Sequence, residues 1–203
     1  MRLIDAFSKL KELQSPLFTT GDAAACLRVT PAHASQILAR LRKARQIIQL
    51  TRGKWAFNEP IDPLTIPEFL TAPWPSYISL QTALFFHEMI DQVPQIVYAV
   101  SLMRTKQYKT PMGLFSIHQV VPDFFFGFET IAGAGNIKMA SSEKALVDVL
   151  YLSPAKSGLF RALPELEFPK NFSRKRAFQI AAEIPSPRRR KMVETQLKTL
   201  FAG

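Results

Sequence analysis

The sequence predicts an α+β protein: a helical N-terminal unit closed by a hairpin, then a larger α+β domain with a small antiparallel or mixed sheet. Three observations predict it. Residues 2–57 show helical apolar spacing followed by two short apolar runs around a turn. Residues 58–77 hold Pro60, Pro63, Pro67, Pro73 and Pro75. Proline lacks an N–H and fixes φ, so this stretch reads as neither a continuous helix nor a central strand. After it, runs rich in Val, Ile, Phe and Tyr are interspersed with helical patterns. The expected division is residues 1–58, a packed linker at 59–76, and residues 77–203.

In order along the chain, residues 2–13 place Leu3, Phe7 and Leu10 on one helical face. Thr19 or Thr20 can cap a second helix ending near Leu27, because a hydroxyl there accepts an orphan backbone N–H. Thr30-Pro31 starts a third helix, threonine as cap and proline in the first turn. Ala34, Ile37, Leu38 and Leu41 then form its core stripe. Ile47–Leu50 and Lys54–Phe57 flank Thr51-Arg52-Gly53 and read as a hairpin. Ile66, Phe69, Leu70 and Trp74 are expected to pack the linker. Beyond it, Ser79–Ile90, Ser141–Leu152, Ser173–Glu183 and Arg188–Phe201 read as helices. Ile96–Met103, Leu114–Val121 and Phe124–Glu129 read as strands. Gly133-Ala134-Gly135 reads as a turn between strands. Helix, helix, Thr-Pro-capped helix and hairpin is the order of a winged helix-turn-helix.

Composition bounds the function. The chain has 203 residues, 47% apolar and 21% charged, an ordinary globular balance. Its one cysteine, Cys26, excludes a disulfide framework and a cysteine-rich zinc site, and reads as a small buried apolar side chain. The N-terminus has no apolar run of signal-peptide length and no segment reaches about 18 consecutive apolar residues, so a soluble, cytoplasmic protein with no membrane partner is expected. The net charge is +10, and it is uneven. Residues 1–59 carry 10 basic and 4 acidic side chains, 60–163 carry 7 and 8, and 164–203 carry 9 and 4. Basic ends around a neutral middle point to a polyanion.

The third helix supplies the chemistry for one. With one stripe in the core, Ala32, His33, Ser35, Gln36, Arg40 and Lys43 lie on the other side. Small and polar residues near its start allow close approach to a major groove. Gln36 can pair bidentately with an adenine edge, and His33, Ser35 and Thr30 can reach bases or phosphates. Arg40 stands with them on the reading helix, while Arg42, Lys43, Arg52 and Lys54 are expected backbone contacts. One conflict appears: the run LRKARQI carries Arg45 where a helix end favours glycine. Either the helix ends differently or Arg45 is strained to hold a phosphate.

Catalytic readings are weak. Ser141-Ser142-Glu143-Lys144 contains Ser-x-x-Lys without partner motifs, and serine at a helix start is ordinarily a cap. His87 and His118 read as structural; either could meet Asp91, Asp123 or Asp148 in the fold. The aromatic run Phe124-Phe125-Phe126-Gly127-Phe128 reads as core strand. Arg188-Arg189-Arg190-Lys191 reads as a solvated face or as a contact for nucleic acid or an acidic protein. No enzyme activity, cofactor or metal site is expected.

The segments TPAHASQILARLRKARQIIQLTRGKWAF, YISLQTALFFHEMIDQVPQIVYAV and IKMASSEKALVDVLYL together resemble the AbiEi-type antitoxins of bacterial abortive-infection toxin–antitoxin systems. The similarity runs from about Phe18 to Leu166. Its most specific parts are Tyr77-Ile78-Ser79 with Ala83-Leu84, Gln92-Val93-Pro94, and Ala140 through Asp148. Arg45 and Glu88 depart from it, standing where family members tend to have glycine. The resemblance implies a winged domain that represses its own operon at promoter inverted repeats. It also implies a C-terminal domain that counters a cognate nucleotidyltransferase-like toxin, a functional partner whose direct contact the resemblance leaves open. Two other readings remain at this point: a winged-helix regulator whose second domain senses a small ligand, and a nuclease or hydrolase fused to a DNA-binding head.

Overall fold

A computed structural model describes residues 2–131, 137–153 and 165–202. The chain is α+β, as its patterning predicts. Three helices, α1 (Leu3–Lys11), α2 (Thr20–Leu27) and α3 (Pro31–Lys43), precede the hairpin of β2 (Ile47–Thr51) and β3 (Lys54–Phe57). A short strand that the pattern did not reveal, β1 (Leu17–Thr19), adds to β3, giving an antiparallel sheet of order β1-β3-β2. Ala6, Leu10, Phe18, Leu27, Ile37, Leu38, Leu41 and Trp55 form the core beneath it.

The helix starts are set locally. Thr19 accepts from the Asp22 N–H while the Asp22 carboxylate accepts from the Thr19 N–H at 2.7 Å, a reciprocal capping box. Thr30 accepts from the His33 N–H, with Pro31 in the first turn of α3. The ends of α2, α3 and α5 (Leu80–Phe86) share one closing pattern. The Gln46 N–H reaches Leu41 O at 3.0 Å and the Arg45 N–H reaches Arg42 O at 2.9 Å. Val29 and Arg28 close α2 in the same way, and Met89 and Glu88 close α5. Arg28, Arg45 and Glu88 therefore sit at φ +54°, +58° and +56°, the left-handed position that favours glycine. Of the two outcomes posed for Arg45, α3 ends in the usual way and the arginine takes the strain.

The proline-rich segment is more structured than expected. It holds a 3-10 turn (Pro63–Thr65) and the short helix α4 (Ile66–Thr71), in which Pro67 falls in the first turn, where it is tolerated. Ile66 and Leu70 are buried and Phe69 half-buried, but Trp74 is 51% exposed rather than packed. The segment also runs into a central strand, β4 (Ser76–Ile78), contrary to expectation; its prolines end at Pro75, so the β4 ladder keeps its donors.

The second sheet is six-stranded and mixed, of order β6-β7-β5-β4-β9-β8. Its other strands are β5 (Ile96–Ser101), β6 (Lys106–Thr110), β7 (Gly113–Gln119), β8 (Phe128–Ile131) and β9 (Ile137–Ala140). β5 pairs parallel with β7 and β4 parallel with β9; the remaining pairs are antiparallel. The strand expected at Phe124–Glu129 begins only at Phe128, because Pro122–Phe124 forms a 3-10 turn and Gly127 takes φ +77°. The expected turn at Gly133-Ala134-Gly135 lies outside the described residues. Helix α6 (Ser142–Leu152) is buried all round, against α5, α7 (Arg174–Ala182), α8 (Pro187–Ala202) and β9.

The hairpin has two buried sides. Ile47, Trp55 and Phe57 face the helical core. Leu50 and Ala56 join a separate cluster with Ile66 and Leu70 of α4 and Phe115 of β7. One apolar cluster thus crosses all three expected segments.

Candidate nucleic-acid interface

Helix α3 presents two opposite faces. Ala34, Ile37, Leu38 and Leu41 are buried, and Gln36, Ala39, Arg40 and Lys43 are exposed on the far side, with His33 and Ser35 exposed at its flanks. The face at Gln36 is turned outward and open. Ser35 donates its hydroxyl to Pro31 O at 2.9 Å, which leaves its lone pairs free to accept. Thr30 is the helix cap, so its hydroxyl already holds a backbone N–H. Between Asp22 and Glu59 the chain has seven arginines and lysines and no carboxylate side chain.

The hairpin carries the next cations. Arg52 is exposed at its tip, and Gly53 takes φ +77°, closing the turn. Arg42 donates to the Gln49 side chain on β2, which splays it toward the hairpin. Lys54 is a correction. Its ammonium donates to Phe69 O and Leu70 O at 2.5 and 2.7 Å at the end of α4, and lies 5.3 Å from the Phe69 ring centre. Burial, then the neighbouring Lys106, holds its pKa below the ordinary lysine value. Lys54 is a clasp between hairpin and linker, not a free phosphate contact. A lysine in a hairpin tip carries no sequence signal of a helix end 16 residues away.

Two further arginines stand beside these cations: Arg28, which sequence reasoning left off the interface, and Arg45, which it posed as a phosphate contact. Arg28 borders a concavity at the α2–α3 corner with Thr30 and His33. Arg45 lines a groove with Arg42, Gln49, Thr51, Arg52 and Asn58, with a volume of about 470 Å³. Arg45 was signalled by standing at a glycine-favoured helix end; Arg28 stands at the same left-handed position at the end of α2, which the sequence reading did not single out.

In the C-terminal segment, the candidate catalytic groups are tied into caps and buried contacts. Ser141 caps α6, accepting from the Lys144 N–H at 3.2 Å. Lys144 and Asp148 are fully buried, Nζ to Oδ1 2.8 Å. Asp148 Oδ2 accepts from Tyr77 at 3.0 Å and Ser79 at 2.8 Å, and Lys144 also donates to Phe124 O at 3.0 Å. The Phe124 ring centre stands 3.4 Å from the ammonium and that of Phe126 4.9 Å. Phe124 and Phe126 therefore pack on a buried cation, and only Phe128 of the aromatic run enters a strand. Burial lowers the Lys144 pKa, with Asp148 opposing it, and raises that of Tyr77 well above its usual value.

His87 donates to Ala140 O at 2.7 Å, and His118 lies 2.9 Å from the Ser116 hydroxyl. Burial pushes His118 down to about 4. Cys26 is only half-buried, and its thiol donates to Lys9 O at 3.1 Å, a departure from the buried side chain expected. Among the described residues no three His, Cys, Asp or Glu side chains cluster as metal ligands, and no helix is long and apolar enough to cross a membrane. An open cleft of about 360 Å³ lies between Phe86, His87, Glu129, Ser142 and Asn171.

No protein-family model matches the chain, and no curated protein matches its sequence.

Proposed function

We propose that this protein is a cytoplasmic DNA-binding antitoxin that represses its own operon, and that it is not itself an enzyme. The N-terminal unit, with its α2–α3 corner and hairpin, acts as a winged helix-turn-helix. The observation that carries the reading is the exposed face of α3, polar, cationic and free of carboxylates, backed by a fully buried stripe. Gln36, Ser35 and His33 read base edges; Arg40, Lys43 and Arg52 engage phosphates. Inverted promoter repeats are the proposed operator, each half-site taking one protomer.

The antitoxin half rests on the resemblance, and two observations support it. Tyr77 and Ser79 from one of its motifs meet Lys144 and Asp148 from another in a single buried network. Both positions at which the family's glycine is replaced, Arg45 and Glu88, have left-handed backbone. The nucleotidyltransferase-like toxin is a functional partner, and its chemistry is its own.

The ligand-sensing alternative needs polar groups free in a cleft. Two of the groups in the C-terminal cleft are engaged: His87 holds Ala140 O, and Glu143 accepts from the Ser173 N–H at 2.8 Å. A nuclease needs clustered accessible carboxylates; Asp148 is sealed, and among the described residues no three acids or histidines gather as metal ligands.

Anisotropy titrations on duplex from upstream of the gene test the reading. With about five phosphates neutralised per protomer, log affinity falls with log salt at a slope of about −4 to −5. Gln36→Ala narrows the preference for promoter over random duplex, and Arg52→Ala weakens both alike. Equal binding of both duplexes by wild type and Gln36→Ala removes base readout.

A further inference from the structure

Where Arg42, Arg45 and Arg52 come together, three guanidinium groups border one groove whose lining has no carboxylate. Among the described residues none of the three has an ion-pair partner; the nearest acid in sequence, Glu59, is paired with Lys11. Like charges gathered without a counter-charge repel one another, and such an arrangement persists where a bound anion relieves it. The groove is braced. Asn58 donates its side-chain amide to Arg45 O at 2.8 Å, fixing the backbone from which that arginine projects, and Gln49 orients Arg42. Arg45 holds its place at a left-handed φ that glycine would adopt without strain.

One wall of this groove does not belong to the N-terminal unit. Pro111, in the turn between β6 and β7, lines it beside the hairpin. The cluster of Leu50, Ala56, Ile66, Leu70 and Phe115 holds that turn against the hairpin, and Lys54 clasps the same junction. Exposed Lys109 stands two residues before Pro111 on β6.

We propose that this groove is a slot for the phosphodiester backbone of the bound duplex, and that the β6–β7 turn of the C-terminal body forms its second wall. The proposal rests on the DNA-binding reading and extends it. The C-terminal body then takes part in DNA binding through a fixed contact that is blind to sequence. The groove opens at the C-terminal end of α3, so a strand leaving the reading face passes between helix and hairpin into it. Guanidinium forks suit phosphate oxygens, and the apolar floor of Ile47, Ile48 and Leu50 suits the sugar edge.

The test uses the full chain, promoter duplex and random duplex, with affinity measured across salt. Arg45→Gly keeps the helix end and relieves its strain, so it folds. It is expected to lose about ten-fold in affinity for both duplexes, and its salt slope to fall by about 0.9 for each phosphate released. Pro111→Glu places a carboxylate in the second wall and is expected to weaken both duplexes. Unchanged affinity and slope in Arg45→Gly, with wild type binding and Gln36-dependent preference intact, overturns the slot alone. A loss in Arg45→Gly with none in Pro111→Glu overturns the second wall. If Arg45→Gly keeps duplex binding but loses binding of poly-glutamate, the groove serves an acidic protein segment and the proposal falls. Absence of duplex binding by wild type overturns the DNA reading itself.

Discussion

Three side chains show how position changes what a residue type means. Arginine 45 occupies backbone that penalises every side chain with a Cβ, by about 1 kcal/mol or more. Arg45→Gly is therefore expected to raise the urea midpoint, by about 1 kcal/mol of stability, while lowering DNA affinity; a variant that gains neither stability nor loses binding contradicts both arguments. His118 gives a pH dependence whose sign follows from burial. Its folded pKa is about 4 against an ordinary 6.5, so the unfolded chain takes the proton first as pH falls. The stability held by the neutral ring is complete above 6.5 and is lost between 6.5 and 4, up to about 3 kcal/mol. Urea unfolding at pH 7 and 4.5 checks it: His118→Gln loses less on acidification than wild type. Lys144 illustrates a buried pair. Lys144→Met leaves Asp148 charged and unpaired, at a cost of about 3–5 kcal/mol, and Lys144→Met with Asp148→Leu recovers much of it. A single variant as stable as wild type by urea melt would show that the pair is dispensable.

At the level of elements, capping and periodicity were the readable signals. Thr19, Thr30 and Ser141 cap the helices they were expected to cap, and the stripe from Ala34 to Leu41 is buried. These follow from residues within four positions of each other, which is why one sequence suffices. Thr19→Ala removes one half of a capping box and should cost about 1 kcal/mol in chemical denaturation. What stayed hidden has a physical cause in each case. β6, KQYKT, is an edge strand with alternating exposure, so it lacks the apolar run that marks a strand. β1 has only three residues and exists because β3 offers its edge. The phenylalanines from 124 to 128 carried a β signal, but Pro122 and Gly127 break the strand; Lys144 gathers the rings of Phe124 and Phe126, and Tyr77 those of Phe125 and Phe128. The exposed polar and cationic face of α3 was legible because a helix with one core stripe exposes the rest. The fate of Lys54 and the contribution of Pro111 were not, since each depends on a partner brought in by tertiary folding.

Across the whole molecule, the hairpin is the shared element. One side closes the helical core and the other closes the cluster with α4 and β7. Phe115→Ala, far from the reading helix in sequence, is expected to cost about 3–5 kcal/mol. It should loosen the hairpin, lowering duplex affinity as well as the urea midpoint; full DNA affinity in a destabilised Phe115→Ala would show that the two bodies act independently. The same architecture has a consequence for biosynthesis. A growing chain completes its first sixty residues well before Phe115 is made, and β4 waits for β9, some sixty positions later, to gain its second neighbour. Until then Leu50 and Ala56 have only Ile66 and Leu70 of α4 to cover them, so the nascent head leaves the ribosome with an adhesive flank. That flank is sealed only when the later half arrives to cover it.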